Sequence, residues 1–567
     1  MIDSPGYWST LAQRRISRRR ALAGGTAVAA ATIAAAAGCA RSGGTPHHTA
    51  PSPPQGGTLR FGTALPVAYG LDPHVERGAG LAIFPKVYGY LHHVDAQQND
   101  TTLLDHAGSV EQPDAMTLLF RLRSDVRFQD VAPADGRPVA SSDVAASVLR
   151  YRDSPLAVNK IWHTTVLDRI ETPDASTLRV ITKRPYVYSL QWLGDISAGA
   201  ILPREQVDSH ADLRTAGPGS GPFAIDHIDT KSQLWRLKRN AGYYKKPAVY
   251  LDAMQWHVYP DDASKVAAFG RRDVDAIDAR DKAEAQAAQA KDSSILVDAK
   301  PSLASLALGL RTDAPPLSDA RVREAIDIAL DRDALIRDIA PGGGAVTGPV
   351  NPHLAGGYWS LPETEVRAAF GGAEQDDGRI ARAKALLAAA GGPDAQLALQ
   401  TVDSPRMIDL ATAIREQLLQ IGIDLRIDEL DPLTWFANFR TGRFQITLIS
   451  HEPYESTDMP TRFFHSGGID ANGNMFALHD AGIDALVERS WGEDNRAGRR
   501  TTLLAAQRLM LGSRAMLQLF TNAGYNATWD SIQDRGESLI GSLAQYHVGQ
   551  WIETPAARQK REATASG

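Results

Sequence analysis

The clearest pattern of apolar and polar residues lies near the middle of the chain. The apolar run Leu303–Leu310 is short enough for a buried strand. Residues 314–316, Ala-Pro-Pro, end that strand because proline has no amide hydrogen to donate. Ser318 and Asp319 are good N-caps for a following helix, and residues 331–333 predict a break and a second short helix. Apolar residues recur at helical spacing in the first of these helices at Val322, Ala325, Ile326, Ala329 and Leu330.

The same two periodicities recur along the rest of the chain. Strands are predicted where apolar and polar residues alternate or form short apolar runs, at residues 58–62, 116–122, 234–240, 254–258 and 421–430. Helices are predicted where apolar residues repeat every three or four positions, at residues 144–151, 381–389, 408–420, 483–491 and 500–511. The helix at 408–420 and the strand at 421–430 that follows it form a βα unit.

Residues 315–336 read PPLSDARVREAIDIALDRDALI. This segment closely resembles one in family 5 extracellular solute-binding proteins, the peptide-binding lipoproteins of ABC importers. Further segments resemble the same family in the same order: GGTLR (56–60), LDPH (71–74), VYGYLHHVD (87–95), LRSDVRF (122–128), DGRPVASSDVAASVLRY (135–151), GPGSGPF (217–223) and TGPVNP (347–352). Together they extend the resemblance over about residues 57–550.

The resemblance implies a fold, an organisation and a role. The fold is an α/β periplasmic-binding-protein type II clamp with two lobes, in its large peptide-binding variety. The expected divisions are a signal peptide (1–38), a flexible tether (39–56), lobe I (57–95, 215–303 and 517–567), an insert of lobe I (96–214) and lobe II (304–516). Crossovers near 302–310 and 512–522 are expected to act as a hinge. A monomer of this kind captures a peptide between its lobes and delivers it to an ABC permease.

Ligand-contacting residues are carried over from the family's motifs. In relatives, the backbone after LDPH runs beside the peptide, and the matching positions are Arg77, Gly78, Ala79 and Gly80. A plain glycine-containing turn is the alternative interpretation. Trp435, chosen as an aromatic residue near the expected hinge and cleft, is a candidate wall of the ligand site, although such a side chain is more often part of a core.

A carboxylate that pairs with the ligand's ammonium is expected within residues 444–464, FQITLISHEPYESTDMPTRFF. The segment departs from the family's pattern, because His451 stands where relatives have tryptophan and no aspartate aligns cleanly. Tyr454 aligns with that aspartate from one side. Glu455 and Asp458 are the favoured carboxylates, and solvated loop acids are the alternative. The departure leaves a non-peptide solute, such as a sugar, a metal chelate or another nutrient, open.

The N-terminal residues have the three-part layout of an export signal. Residues 17–22, SRRRAL, resemble a twin-arginine motif, and an alanine-rich apolar stretch follows at 21–37. Residues 36–39, AAGC, resemble a lipobox, which implies that Cys39 receives a diacylglyceryl group and anchors the protein on the outer face of the cytoplasmic membrane. A weak membrane-spanning anchor is the alternative.

Composition and charge narrow the function further. The chain has 567 residues, more than one core usually supports, and a formal net charge of −6, which disfavours nucleic acid as a partner. Its single cysteine excludes an intramolecular disulfide and a cysteine zinc site. The catalytic motifs HExxH, GxSxG and the P-loop are absent, so neither an enzyme nor a cofactor is expected. A sensor or interaction lipoprotein that kept the fold is a further alternative.

Overall fold

The structure is a computed structural model of the chain. It describes residues 53–64, 70–75, 80–94, 102–157, 160–210, 213, 217–229, 231–245, 249–279, 281–371, 376–392, 396–451, 463–469, 473–533 and 551–552. Across these ranges no helix is both long enough and apolar enough to cross a membrane.

Strands and α-helices alternate along the chain and are numbered here in chain order. The strands are β1 (Thr58–Thr63), β2 (His92–Val94), β3 (Thr102–Leu104), β4 (Ala107–Asp114), β5 (Thr117–Leu122), β6 (Leu167–Asp174), β7 (Thr177–Thr182), β8 (Phe223–Asp229), β9 (Leu234–Arg239), β10 (Ala253–Val258), β11 (Ala276–Ala279), β12 (Ile295–Leu310), β13 (Leu397–Val402), β14 (Leu425–Leu430), β15 (Ile446–His451), β16 (Met516–Trp529), β17 (Ile532–Gln533) and β18 (Trp551–Ile552). The helices are α1 (Gly80–Val87), α2 (Ser141–Asp153), α3 (Ser189–Leu193), α4 (Arg204–Asp208), α5 (Asp262–Gly270), α6 (Lys282–Lys291), α7 (Ala320–Ala329), α8 (Arg332–Ile339), α9 (Glu363–Ala369), α10 (Asp376–Ala389), α11 (Pro405–Leu419), α12 (Pro432–Arg440), α13 (Ala481–Trp491) and α14 (Arg496–Ser513).

One sheet of ten strands runs through the molecule in the order β14-β13-β15-β12-β16-β11-β1-β10-β9-β8. Its two long members, β12 and β16, have 16 and 14 residues and pair antiparallel with each other. On one side of this pair lies the first half-sheet, β11-β1-β10-β9-β8, and on the other side the second half-sheet, β14-β13-β15. The chain therefore passes between the two half-sheets along two neighbouring strands.

The central stretch folds as its pattern predicts. Helix α7 begins after Asp319, whose Oδ1 accepts a hydrogen bond from the amide of Arg321 (2.8 Å), and α8 begins after Asp331, which accepts from the amide of Ala334 (2.9 Å). Such caps satisfy amides that have no partner inside a helix. The apolar face of α7 is buried in one core cluster with strand residues of the second half-sheet and of β12.

Strand β12 is longer than the apolar run predicts. It begins at Ile295 rather than at Leu303, and Pro301 lies opposite Ala523 of β16. Residues 298–301, Asp-Ala-Lys-Pro, interrupt the apolar pattern, but pairing with β16 keeps this segment extended. The partner strand is more than two hundred residues away in sequence, so a local pattern does not contain this information.

Residues 102–210, called here the insert, contain a second sheet in the order β4-β5-β7-β6 and helix α2. This helix begins at Ser141, three residues before the start predicted from the sequence. Asp143 lies in its first turn, fully buried, and accepts hydrogen bonds from the amides of Ala140 and Arg204, both at 2.8 Å. Arg137 donates to the same carboxylate at 2.6 Å. One acidic side chain thus starts α2 and also holds the beginning of α4.

Three large apolar cores stabilise this arrangement. One lies against the first half-sheet and includes Phe84, Trp235 and Trp256. A second packs α7 and α11 against the second half-sheet. The third joins the insert to α13 and α14, with Trp162 on the insert side and Trp491 on the other. The insert therefore has contacts with both sides of the long strand pair.

Candidate functional site

The carboxyl ends of strands from both half-sheets meet near the middle of the β12–β16 pair. Strand β11 is antiparallel to β16, and its last residue, Ala279, lies opposite Tyr525. Strand β15 is antiparallel to β12, and its last residue, His451, lies opposite Ser305. Ser305 in turn lies opposite Thr521 of β16. The two strands thus run toward each other, and their ends correspond to positions four residues apart along β16.

Other strands in each half-sheet point the same way. Strands β1 and β10 are parallel to each other, and β1 is parallel to β11. Strands β13 and β14 are parallel to each other, and β13 is parallel to β15. In open α/β sheets ligands bind outside the carboxyl ends of the strands, where the strand order reverses. We call the space between these two sets of strand ends the crevice, and it is the candidate ligand site.

The edge contributed by the first half-sheet is acidic. The ammonium of Lys265 lies 2.7 Å from Asp262, 3.5 Å from Asp278 and 3.8 Å from Glu284, and its side chain is 2% exposed. Thr63, at the end of β1, donates a hydrogen bond to Asp278 at 3.1 Å. Burial acts to lower the pKa of Lys265, but the surrounding carboxylates outweigh it and raise that pKa. One cation shared among three acids leaves net negative charge on this edge.

The edge contributed by the second half-sheet is formed by strand ends and helix starts. Asp431 follows β14 and caps α12, accepting hydrogen bonds from the amides of Leu433 (3.0 Å) and Thr434 (3.1 Å). Helix α11 begins three residues after β13 ends, and its Arg406 donates to the Asn522 side chain of β16 at 2.6 Å. The amino ends of both helices bring partial positive charge to this edge.

Comparison with known proteins identifies the family. Residues 104–471 match the family model described as bacterial extracellular solute-binding proteins, family 5, middle part. The chain belongs to this family. Its role as the substrate-binding component of an ABC importer, expected from the sequence, is confirmed at the level of the family, which does not fix the type of ligand.

One relative known from its sequence and two solved structures resemble the chain at low sequence identity. The glutathione-binding protein GsiB of Salmonella typhi is 24% identical over 370 residues, which are 64% of this chain and 67% of that protein. DppA of Helicobacter pylori, solved with the peptide STSA, is 19% identical with a TM-score of 0.76, covering 88% of this chain and 99% of that one. AgaA of A. tumefaciens R10, solved with agropinic acid, is 24% identical with a TM-score of 0.77 over the same shares. These likenesses confirm the predicted type II clamp fold.

Two of the predicted site residues lie beside the crevice strands. His451 ends β15 and is 5% exposed, and its Nε2 lies 3.3 Å from the side-chain oxygen of Gln518 on β16. Trp435 lies on α12, where its Nε1 donates to Thr447 of β15 at 3.1 Å. Its ring stacks on Phe439 with centroids 5.3 Å apart. His451 is therefore placed at the strand end, while Trp435 packs against the same strand.

The other predicted positions give less information. Gly80 is the first residue of α1 and is buried. Arg77, Gly78, Ala79, Tyr454, Glu455, Asp458 and Cys39 lie outside the described residues. Their roles stay predictions from the family's motifs. In the described part of the chain, no group of three or more histidine, cysteine, aspartate or glutamate residues is arranged to hold a metal ion.

A buried polar network at the strand crossing was not predicted. The pairing of β12 with β16 shifts between Pro301 and Ser305, where three residues of β12 (302–304) face one residue of β16 (522), and we call this segment the hinge. The side-chain amide of Asn351 donates to the carbonyls of Ser302 (3.2 Å) and Leu303 (2.9 Å) and to the hydroxyl of Ser305 (3.1 Å). These bonds replace the strand pairing that the bulge interrupts. The only sequence signal was one asparagine in an expected loop.

Replacing Asn351 with alanine is expected to destabilise the protein by about 1–3 kcal/mol, because a buried carbonyl of the hinge loses its donor. Urea denaturation of the two proteins measures the difference. Asn438→Ala is the control, since that half-buried amide makes a single bond of 3.3 Å, to Gln400. Equal losses for the two variants would contradict the role given to Asn351.

Proposed function

We propose that the chain binds a small peptide in the crevice and delivers it to an ABC permease. The observation that carries this proposal is the convergence of strand ends from both half-sheets on one point of the β12–β16 pair. A ligand there contacts both halves at once. Two strands cross between the halves, so a small change of angle at the hinge opens or closes the crevice.

We propose the same division of the chain into lobes that the sequence resemblance predicts. Lobe I comprises residues 57–95, 215–303 and 517–567, with 96–214 as its insert, and lobe II comprises residues 304–516. Ligand binding to both lobes favours the closed arrangement over the open one. We further propose that Cys39 is lipidated and that residues 39–56 tether the protein to the outer face of the membrane.

Peptide binding requires unpaired backbone groups and a carboxylate for the ligand's ammonium. We assign the first to residues 77–80 and the second to Glu455 or Asp458. The helix starts on the second edge provide partial positive charge for a ligand carboxylate. A second candidate is a non-peptide acid, because AgaA, which has a similar fold, was solved with agropinic acid. The same crevice then serves a ligand without a peptide backbone.

Native mass spectrometry of freshly purified protein tests the proposal by identifying any ligand that co-purifies. Melting temperatures are then measured against di- to nonapeptides and against sugars and opine-like acids. A ligand at one hundred times its Kd stabilises the folded state by about 2.7 kcal/mol, and the melting temperature rises accordingly. We expect peptides to raise it and to be recovered unchanged. No shift with any solute would contradict a binding function, and a shift with acids alone would select the second candidate.

Two variants identify the ligand's carboxylate partner. Asp458→Asn or Glu455→Gln is expected to weaken peptide binding at least tenfold, because the ligand's ammonium loses its counter-charge. Glu452→Gln is the matched control in the same segment. If all three variants bind peptide as well as the original chain, the ammonium is bound elsewhere.

A further inference from the structure

The insert is attached to the first half by buried polar contacts. Arg150 of α2 pairs with Asp72 at 2.6 Å and lies 2.9 Å from the ring nitrogen of His74. The side-chain amide of Gln129 donates to the carbonyl of Phe223, the first residue of β8, at 2.8 Å. The side chains of Arg150 and Asp72 are 21% and 11% exposed and Gln129 is buried, so these contacts are largely shielded from water. The insert and the first half therefore move as one body.

The same insert also contacts the second half, through the end of α13. The amide of Val187 donates to the carbonyl of Trp491 at 2.7 Å. The ring of Tyr186 lies 5.3 Å from that of Trp491, and the two residues are 3% and 2% exposed. Arg184 lies over the Trp491 ring at 5.3 Å and pairs with Glu488 at 3.3 Å. This is a compact contact with an apolar centre and a charged rim.

A second contact joins the same two bodies at the end of α12. The guanidinium of Arg440 donates to the carbonyl of Pro155 at 2.9 Å and to that of Leu156 at 3.3 Å. Both carbonyls belong to the turn that follows α2. Hydrogen bonds from a charged donor contribute more than neutral ones. The apolar centre of the first contact belongs to the core that the insert shares with α13 and α14, and Arg440 adds a polar attachment at the end of α12.

We propose that these two contacts form a latch between the insert and the second half, which holds the crevice closed and separates when the hinge bends. The reasoning is geometric. The insert is fixed to the first half, while the second half is joined to the first by β12 and β16. A rotation about the hinge that opens the crevice therefore moves Trp491 and Arg440 away from the insert. The proposal rests on the proposed function, because it assumes that the crevice opens and closes.

The latch has a consequence for ligand binding. A contact that forms only in the closed state favours that state even without ligand. If most of the ligand-free protein is closed, the fraction able to admit ligand is reduced, and the apparent affinity falls by that fraction. The equilibrium between the open and closed states therefore depends on Arg184, Glu488 and Arg440. None of these residues lies at the strand ends that form the crevice.

A disulfide placed across the latch provides the main test. A Cβ atom built on Gly492 lies 3.9 Å from the Cβ of Pro185, which is the spacing found in disulfides. Gly492 has a φ of −98°, which cysteine adopts without strain. The full chain is prepared with Pro185→Cys, Gly492→Cys and Cys39→Ser, so that the two new thiols are the only ones. Arg184→Gln and Arg440→Gln are added to weaken the latch.

Small-angle scattering of the ligand-free protein then measures its radius of gyration. We expect a larger value for the reduced form than for the oxidised form, because weakening the latch opens the crevice and the disulfide holds it closed. Identical radii for the two forms overturn the proposal, since the contact then does not cross a moving boundary. The mass-spectrometry and melting experiments test whether the chain binds a solute. The scattering comparison measures only whether the crevice opens, so the two proposals can fail separately.

Hydrogen exchange at the Val187 amide gives a second, local measurement. In the protein with Arg184→Gln and Arg440→Gln but without the cysteines, this amide is expected to exchange about tenfold faster, because its acceptor on Trp491 separates more often. Arg415→Gln, which removes an exposed ion pair with Asp424, is the control and leaves the rate unchanged. Equal Val187 rates in the original and the double-glutamine protein overturn the latch.

Discussion

Replacing Arg332 with methionine is expected to lower the free energy of unfolding by about 3–5 kcal/mol. The side chains of Arg332 and Asp327 form an ion pair, and each is 4% exposed. Arg332 also donates to the carbonyl of Gln518 on β16 at 2.7 Å and lies 3.6 Å over the ring of Phe370. Without the guanidinium, a buried carboxylate loses its closest counter-charge. Urea denaturation at neutral pH measures the loss.

Arg415→Met is the matched control, because Arg415 pairs with Asp424 at 2.7 Å but both side chains are largely exposed. We expect a change of no more than about 1 kcal/mol there. Adding Asp327→Asn to Arg332→Met removes the buried carboxylate that has lost its partner. Part of the lost free energy of unfolding should then be recovered. A loss for Arg332→Met as small as that of the control would show that the buried pair contributes little.

Acidification is expected to destabilise the protein steeply between pH 6.5 and pH 4. Burial lowers the pKa of His92 to about 4 and that of His163 to about 3, both from 6.5. The folded state therefore binds fewer protons than the unfolded state in this range. The contribution of the two neutral rings to the free energy of unfolding is fully present above pH 6.5. It is lost as the pH falls toward the folded-state pKa values. Each ring accounts for about 3 kcal/mol by pH 4.

His163→Leu separates this effect from other acid effects. The ring of His163 is 2% exposed and lies among Tyr151, Trp162 and Trp192. Denaturation curves at pH 7, 6, 5 and 4 should show a slope smaller by about 1.4 kcal/mol per pH unit in the variant, because one proton fewer is taken up on unfolding. His227→Leu, at an exposed position of β8, is the control variant. An unchanged slope in His163→Leu would mean that this ring does not titrate as inferred.

The central stretch shows why part of the fold was predictable from the sequence. Its strand, its two helices and its N-caps depend on residues within four positions of one another. The roles of its charged residues, in contrast, depend on contacts with distant parts of the chain. Arg323 donates to the carbonyl of Ser513 at 3.1 Å, and Arg332 reaches Gln518, both almost two hundred residues away. The motif that identified the family therefore joins α7 and α8 to β16 and the end of α14.

The candidate site was less predictable. His451 was selected because it replaces a tryptophan in a family motif, and it does end β15. The acidic edge around Lys265 and the hinge network around Asn351 were missed, because each gathers residues from separate segments. The only local signal of the acidic edge was a lysine in a mostly apolar helix. A periodic pattern of apolar residues does not predict the contacts between the insert and α13 either.

The position of β16 in the sheet has a consequence for synthesis of the protein. This strand lies between β12 and β11 in the sheet, yet it follows both of them in sequence and therefore leaves the ribosome after them. Until it emerges, a nascent chain leaves the facing edges of β11 and β12 without their partner, and such edges invite aggregation. Neither half can complete its sheet early, so a truncated product that ends before Met516 is a substrate for chaperones and proteases rather than a smaller binding protein.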